Sequence, residues 1–418
     1  MDIRRRMLTS SVEGLNIDNY LTIEANEDGL TASLSVNACE YCVDGDGNWK
    51  TLSAGTATES INNGQTLSFR GNLTPNDTNG IGTFTINKKC NLKGNCMSML
   101  FGNNAANNYS LSGKNYAFYE LFYDCNNIVN VSRNFLPATT LTPNCYSNMF
   151  YGCTSLTSAP ELPATTLTQY CYEYMFAGCK SLTTAPELPA TQLADCCYQF
   201  MFYYCTGLTS ASDLPSTQLA DYCYHMMFYG CSSLITTPKL PSTTLAKHCY
   251  NRMFAYCSSL TTAPELPATT LAQGCYSNMF YNCTSLTSAP ALPATKLADY
   301  CYSTMFYNCR SLTTAPELPA TTLADSCYDS MFQDCRLLTT APILPATTLA
   351  YGCYSNMFNG CAKLNYIKCL ATDISADWCT INWVNGVAST GTFVKAAGMS
   401  RWTTSSNGIP RGWTVQNA

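Results

Sequence analysis

A 26-residue repeat is the feature of this sequence that most restricts its fold. Starting at Leu136, nine units follow one another without an insertion, and the pair Cys–Tyr recurs in each of them, from Cys145 to Cys353. A second cysteine follows eight residues after each of these first cysteines. A unit this short cannot bury its own apolar side chains, so it must stack on its neighbours. The repeat therefore predicts a solenoid.

The residue pattern within a unit predicts one short helix and one short strand. From Cys145 to Cys153 the apolar residues recur at a spacing of four, which favours a helix with one apolar face. Pro160 follows the extended-looking Ser-Leu-Thr-Ser-Ala run and, lacking an N–H group, should end the strand after a few residues. Four aspartates that stand two residues before a Cys–Tyr pair are candidate N-caps of the helix. They are Asp195, Asp221, Asp299 and Asp325.

The repeated motif resembles a known family. Met-Phe-x-x-Cys-x-Ser-Leu, followed by Leu-Pro-x-Thr, is similar to the BspA-like leucine-rich repeats that are common in Bacteroidetes. The resemblance covers about residues 136–369, or 136–395 with a decayed tenth unit. It implies an α/β solenoid, a right-handed leucine-rich-repeat superhelix, with a role in adhesion. This unit is slightly longer than the family's usual one and carries an extra cysteine before the tyrosine.

The regions outside the array predict a small β domain and two caps. Strand-like runs broken by Asn, Asp and Gly, such as Tyr20–Glu24 and Gly82–Ile86, favour a β-sandwich. Solenoids need caps because a terminal repeat exposes bare core. The expected segments are a flexible leader (1–18), a β-sandwich-like domain (19–95), a cap with a degenerate repeat (96–135), nine repeats (136–369), a decayed repeat (370–395) and a β-rich cap (396–418).

Two recurring residues in each unit are expected to form the core. On a helix, two cysteines eight residues apart would be separated by about 12 Å, beyond the ~7 Å that a disulfide allows between Cα atoms. Pairing between like positions of adjacent units is sterically possible, although nine cysteines in a column leave one over. Because cysteine also packs as a small apolar residue, we expect most of the 26 to be free and buried. The second-cysteine column comprises Cys153, Cys179, Cys205, Cys231, Cys257, Cys283, Cys309, Cys335 and Cys361. The phenylalanine column comprises Phe150, Phe176, Phe202, Phe228, Phe254, Phe280, Phe306, Phe332 and Phe358.

The positions that vary between units are the candidate binding surface. Stacking holds the core positions constant, so the variable ones should face solvent. They carry Tyr, Asn, Ser and Gly, residue types that make adaptable binding surfaces, although drift at unconstrained positions would produce the same variation. The six candidate residues are Tyr170, Tyr174, Tyr222, His248, Arg252 and Tyr300.

Composition excludes several classes of function. The net charge of −5 argues against nucleic acid as a partner, because such proteins present a clustered basic face. Only two histidines occur, so few side chains are suited to general acid–base catalysis. The sequence also offers no catalytic arrangement, cofactor motif or convincing metal site. Cys39 and Cys42 with Cys90 and Cys96 have the wrong spacing for a zinc site. No run approaches the ~20 apolar residues that span a membrane.

These observations predict a non-enzymatic recognition protein without a cofactor. Its expected partner is a protein or glycan ligand on a host or bacterial surface, contacted through the exposed face of the solenoid. Arg4, Arg5 and Arg6 are not followed by an apolar run, so the start does not read as a secretory signal peptide. The expected location is the cell surface or a virion. The alternative hypothesis is a receptor-binding phage or prophage appendage made in the cytosol.

Overall fold

The computed structural model describes residues 15–418. Most of the predicted leader, with Arg4, Arg5 and Arg6, lies outside the described residues. The last two residues of that segment open a short 3-10 helix, Ile17–Asn19, and the Leu15 N–H donates to the Gly45 carbonyl. The chain then enters a β-rich region.

Seven strands form the N-terminal region. They are β1 (Leu21–Ala25), β2 (Ala32–Leu34), β3 (Cys39–Val43), β4 (Lys50–Leu52), β5 (Thr66–Arg70), β6 (Phe84–Ile86) and β7 (Cys90–Gly94). With β8 (Ile128–Val131) they make a six-stranded sheet in the order β4-β3-β5-β1-β7-β8 and a two-stranded sheet, β2-β6. The buried, exposed, buried pattern of β6 is typical of a half-buried strand. The rings of Phe69 and Phe84 join the two sheets at 5.1 Å.

The N-terminal sheet continues into the repeats. Strand β8, which lies just before the repeats, pairs in parallel with β7. Asn130 in β8 also forms a parallel bridge with Ser158 of the first unit. Between the strands lie a four-residue helix, α1 (Ser98–Phe101), and a 3-10 helix, Gly102–Asn107; a further one, Arg133–Phe135, precedes the array. The hydrogen bonding therefore crosses the boundary predicted at residue 95.

The solenoid prediction is confirmed, but the predicted helix in each unit is wrong. From Cys145 to Cys153, alternate N–H groups donate to the carbonyl three residues earlier, as Met149 does to Tyr146 at 3.2 Å, so the segment is a string of tight turns. Every fourth residue has a positive φ angle: 58° at Asn144, 57° at Asn148 and 72° at Gly152. The left-handed conformation interrupts a right-handed helix, whereas the apolar spacing of four fits either structure.

The remaining N–H groups in these turns connect one unit to the next. The Tyr146 N–H donates to the Cys171 carbonyl at 3.0 Å and the Phe150 N–H to the Met175 carbonyl at 2.9 Å. The pattern recurs along the array, for example from Tyr328 to Cys353 at 3.1 Å. In a helix these N–H groups would bond to carbonyls of the same helix. Here they bond to carbonyls of the next unit.

Two aromatic ladders fill the core. The phenylalanine after each methionine forms the first ladder, which begins with Phe122 of the degenerate repeat and ends at Phe358. Its rings stack at 5.5 to 5.8 Å between centroids. The tyrosine after each first cysteine forms a second ladder, from Tyr146 to Tyr354, in which every ring is 1% exposed. Sequence analysis had not assigned these tyrosines to the core.

The cysteines are buried together with the aromatic ladders. All 26 are free and buried. Each thiol of the second-cysteine column donates to a phenylalanine carbonyl of the preceding unit, as Cys179 does to Phe150 at 3.2 Å. Burial raises the pKa of Cys205 to about 12, so this thiol stays protonated and unreactive at neutral pH.

The other half of each unit holds single parallel bridges rather than strands. One column runs through Thr184, Ser210 and Thr236, two residues before the proline position, which Ser212 occupies in the second of these units. The predicted N-cap role of the aspartates is also wrong, because there is no helix to cap. The Asp195 carboxylate instead accepts from the Asp221 N–H at 3.1 Å, and Asp299 accepts from Asp325 at 3.2 Å. Asp221 in turn accepts from the Lys247 N–H.

The C-terminal end closes both ladders. Three parallel strands, β9 (Tyr366–Cys369), β10 (Thr392–Lys395) and β11 (Thr414–Asn417), pair in the order β11-β10-β9. The Trp383 ring lies 6.2 Å from that of Tyr354 and 6.3 Å from that of Phe358. Trp402 stacks on its other side at 5.5 Å. A single large ring thus covers the end of both columns. In residues 15–418, no helix has the length and apolarity that a membrane crossing requires.

The left-handed positions allow a stability prediction. Thr304 has a φ of 60°, which is strained for a β-branched residue, whereas its equivalent Asn148 occupies the same conformation without a branched Cβ. Thr304→Asn should raise the free energy of unfolding by about 1 kcal/mol. The reciprocal Asn148→Thr should lower it by a similar amount. Urea denaturation measures both; equal midpoints for the two variants would contradict the argument.

Candidate functional site

The six predicted binding residues all occupy left-handed turn positions. Their φ angles lie between 52° and 58°. Arg252 and Tyr300 are exposed, and the other four are partly buried. The variation seen in the sequence thus falls where the backbone turns outward from the ladders.

The structure brings some of these residues together in pairs of neighbouring units. The rings of Tyr222 and His248 stack at 4.9 Å. Tyr174 stacks on Phe200, its equivalent in the next unit, at 4.3 Å. Arg252 follows in the same column as Tyr174, three units along the array, and Tyr300 stands two units beyond His248. The six residues are therefore spread over one long surface.

A second set of aromatic residues on this surface was missed by sequence analysis. The residue after each core phenylalanine is a tyrosine in five of the nine units, and the Met-Phe-Tyr sequence is the signal that could have revealed it. We call these rings and the aromatic neighbours that contact them the tyrosine band. Its members are Tyr123, Tyr151, Tyr174, Phe200, Tyr203, Tyr204, Tyr229, Tyr256, Tyr281 and Tyr307.

The rings of the tyrosine band contact one another along the array. Tyr123 stacks on Tyr151 at 4.8 Å, and Tyr281 stacks on Tyr307 at 4.7 Å. Unlike the core ladders, the band reaches solvent: Tyr204 is 43% exposed and Tyr256 is 40% exposed, Tyr123 is also exposed, and the other seven rings are half-buried. Stacking holds these side chains in place although they lie at the surface, so they lose little conformational freedom when they bind a ligand.

The band is interrupted where alanine replaces the tyrosine. At Ala177, the Tyr174 ring lies 6.2 Å from both Tyr151 and Tyr203 and occupies the gap between them. At Ala255 the equivalent of Tyr174 is Arg252, and the gap stays open. The resulting cleft has a volume of about 220 Å³. It is lined by Tyr229, Arg252, Ala255, Tyr256, Asn278 and Tyr281.

Two ionisable side chains beside the band have shifted pKa values. Burial, together with the nearby charges of Arg252 and His248, lowers the pKa of His225 to about 4. Its Nδ1 atom has no hydrogen-bond partner within the described part of the chain. Burial raises the pKa of Glu173, two units earlier in the same column, to about 7. Both side chains are therefore held in their neutral forms more strongly than in water.

The described residues 15–418 hold no group of three or more His, Cys, Asp or Glu side chains arranged to bind a metal ion. Cys39 and Cys90 are buried and have a pKa raised by burial to about 12, which disfavours the thiolate that zinc requires.

Comparison with protein families identifies the repeats. The model of the BspA type leucine-rich repeat region matches in six copies, over residues 76–183, 100–209, 197–304 and 276–376, which together span more than half of the chain. This confirms the resemblance found in the sequence. A search of curated proteins found no match.

The buried histidine gives a prediction for the pH dependence. His225 is neutral in the folded protein down to a pKa of about 4, while an unfolded histidine titrates near its ordinary value of 6.5. Between these values the unfolded chain binds more protons, so the free energy of unfolding should fall as the pH falls through this window. NMR titration of the two imidazoles should show one midpoint near 4. This midpoint should disappear in the variant His225→Ser, because serine is the residue that Ser147 and Ser277 place at the same position of the repeat.

Arg252→Asn is the matched control for this titration, because it removes the nearby charge and leaves the burial. The pKa of His225 should move upward in this variant without reaching its ordinary value. A His225 midpoint near 6.5 in the unmodified protein would contradict the buried environment.

Proposed function

Because the chain belongs to the BspA-type leucine-rich repeat family, we propose that it is a non-enzymatic recognition and adhesion protein. Repeats of this family generally bind proteins and serve in surface adhesion. The proposed partner is a protein or glycan on a host or bacterial surface. The proposed contact surface is the outward-facing side of the turns, which carries the tyrosine band and the six variable residues.

The tyrosine band is the observation that carries this proposal. The inner ladders are needed for folding, whereas the outer rings are not sealed within the core. Tyrosine offers a large rigid area with a hydroxyl group at its tip, a combination enriched at binding surfaces. A contiguous exposed aromatic patch on a protein surface is typical of an interaction site.

The geometry of the band suits a large ligand. Neighbouring units place stacked rings about 5 Å apart, for example 5.1 Å between Tyr203 and Tyr229. A partner lying along the array could contact several units at once, and many weak contacts together can give strong attachment. Charged residues make up only 12% of the sequence, so aromatic and hydrogen-bonding contacts would dominate over ion pairs.

Replacing band tyrosines should weaken attachment. The triple variant Tyr151→Asn, Tyr203→Asn, Tyr307→Asn introduces the residue that Asn359 already places in this column, so the turns should fold normally. We expect about tenfold weaker binding of the labelled protein to intact bacteria or to a basement-membrane extract, since each ring contributes buried area. Flow cytometry measures binding to the bacteria, and an assay on a coated surface measures binding to the extract.

Tyr351→Gln is the control. Tyr351 is 47% exposed but is not a member of the band, and Gln169 and Gln273 occupy its column elsewhere. The control should bind like the unmodified protein. Equal binding by the triple variant, or no binding of the unmodified protein to either surface, would contradict the proposal.

Location distinguishes an adhesin from the alternative, a phage appendage. Mass spectrometry would compare purified phage particles with washed membrane and cytosolic fractions of the producing culture. We expect the peptides in the membrane fraction, and we expect them to disappear when intact cells are treated with protease. Enrichment in the particles would instead identify an appendage.

A further inference from the structure

The cleft at Ala255 differs from the rest of the tyrosine band. At Ala177, the other interruption, the Tyr174 ring lies 6.2 Å from both Tyr151 and Tyr203. At the cleft, the small side chain of Ala255 leaves the Tyr229 and Tyr281 rings two units apart, and both contact Tyr256, at 5.1 and 5.4 Å. The cleft is thus walled by aromatic rings and floored by a buried alanine.

The backbone holds the walls of this cleft in fixed positions. The Phe254 N–H donates to the Met279 carbonyl at 3.0 Å, and the Tyr256 N–H donates to the Tyr281 carbonyl at 2.7 Å. These hydrogen bonds belong to the ladder that joins the units. A cleft built on the solenoid backbone is formed before a ligand arrives, which lowers the entropy lost on binding.

A cation stands at the rim of the cleft. Arg252 is exposed, and none of the six ion pairs formed within residues 15–418 includes it. Its guanidinium group is a planar fork of donors that matches the two oxygens of a carboxylate. An unpaired arginine beside aromatic walls favours an anionic ligand with an apolar face.

The size and the remaining polar group limit what this ligand can be. The volume of about 220 Å³ is below the ~300 Å³ at which sites for drug-sized molecules begin, so one ring fits and a larger molecule would extend outside. The Asn278 amide nitrogen donates to Ser277 Oγ at 2.8 Å, which leaves its second N–H group and its oxygen to donate to and accept from neighbouring hydroxyl groups. The C–H face of a sugar ring can pack on the electron-rich face of tyrosine.

We propose that the cleft binds a carboxylate-bearing sugar ring, a uronic or sialic acid, within a larger glycan. The tyrosines contact the face of the ring, Arg252 binds the carboxylate, and Asn278 binds hydroxyl groups. This inference rests on the proposed recognition function and names its ligand class. A strand of nucleic acid would also offer rings and anions, but the net charge of −5 opposes a polyanionic strand.

Two substitutions test the cleft with residues that the repeat already uses. Ala255→Tyr restores the residue of Tyr229 and Tyr281 in this column and should fill the cleft. Arg252→Asn introduces the residue of the equivalent Asn278 and removes the cation, leaving the left-handed turn intact. Both variants should therefore fold like the unmodified protein.

The matched controls change the same properties elsewhere. Arg310→Ser removes one positive charge in another unit, where Ser232 and Ser258 are the equivalents. Asn359→Tyr adds a tyrosine to the same column as Ala255, four units along the array.

The ligands are chosen in pairs that differ in the acidic group. Saturation-transfer NMR would titrate 3′-sialyllactose against lactose, and trigalacturonate against its methyl ester. We expect one acidic sugar to bind at least about tenfold more tightly than its neutral partner, the gain expected of a charge-assisted bidentate contact. Arg252→Asn should remove this difference, Ala255→Tyr should abolish binding, and both controls should bind within about twofold of the unmodified protein. The pair that responds distinguishes sialic from uronic acid.

Several outcomes would overturn the inference: no binding of either acidic sugar, equal binding of the neutral partners, or binding that survives both variants. An Asp- and Glu-rich peptide that binds the cleft in place of the sugars would also overturn it. The attachment assay is independent of this result. If the unmodified protein attaches to cells but neither acidic sugar binds in the titration, the sugar site is wrong and the adhesion proposal stands.

Discussion

Stacking of one 26-residue unit on the next is the interaction on which the whole molecule depends. Alternate N–H groups in the turns donate to the following unit, as Tyr146 does to Cys171 at 3.0 Å. The core rings also repeat from unit to unit at a nearly constant spacing, for example 5.6 Å between Phe150 and Phe176 and 5.7 Å between Phe176 and Phe202. The backbone and the side chains therefore advance together. A smaller residue in a core ladder would leave a void between two rings, which explains why the ladder residues are the same in unit after unit.

The same stacking explains why the segment between the two cysteines is a string of turns. Half of its N–H groups must point toward the next unit, so they cannot all bond within one helix. The left-handed residue at every fourth position turns the chain outward, and its side chain leaves the ladder. Gly274, His248 and Tyr300 can therefore occupy equivalent positions with φ angles of 57°, 52° and 58°. The variable columns are variable because they lie outside the stacked core.

Tyrosine serves in two environments of this fold. The inner ladder runs from Tyr146 to Tyr354 through every unit and is buried. The tyrosine band is built on the position five residues after the inner-ladder tyrosine, as Tyr151 follows Tyr146. It is interrupted at Ala177 and Ala255. Interruption is tolerated outside because the inner ladders already hold the units together. One interruption is filled by Tyr174, and the other leaves a cleft beside Arg252. A stable core thus leaves the outer positions free to vary.

The solenoid, its period, the family and the columns that end in Phe358 and Cys361 can be derived from the order of residues, because a repeat that must stack keeps its contact residues constant. The three-dimensional packing was needed to establish the conformation within each unit, since a spacing of four fits both a helix and successive turns. It also decided that Tyr146 is core while Tyr151 faces solvent, a distinction that depends on which side of the turn points to the next unit. The cleft at Ala255 follows from residues of three units meeting across the stack, and such contacts are not visible in the order of residues along the chain.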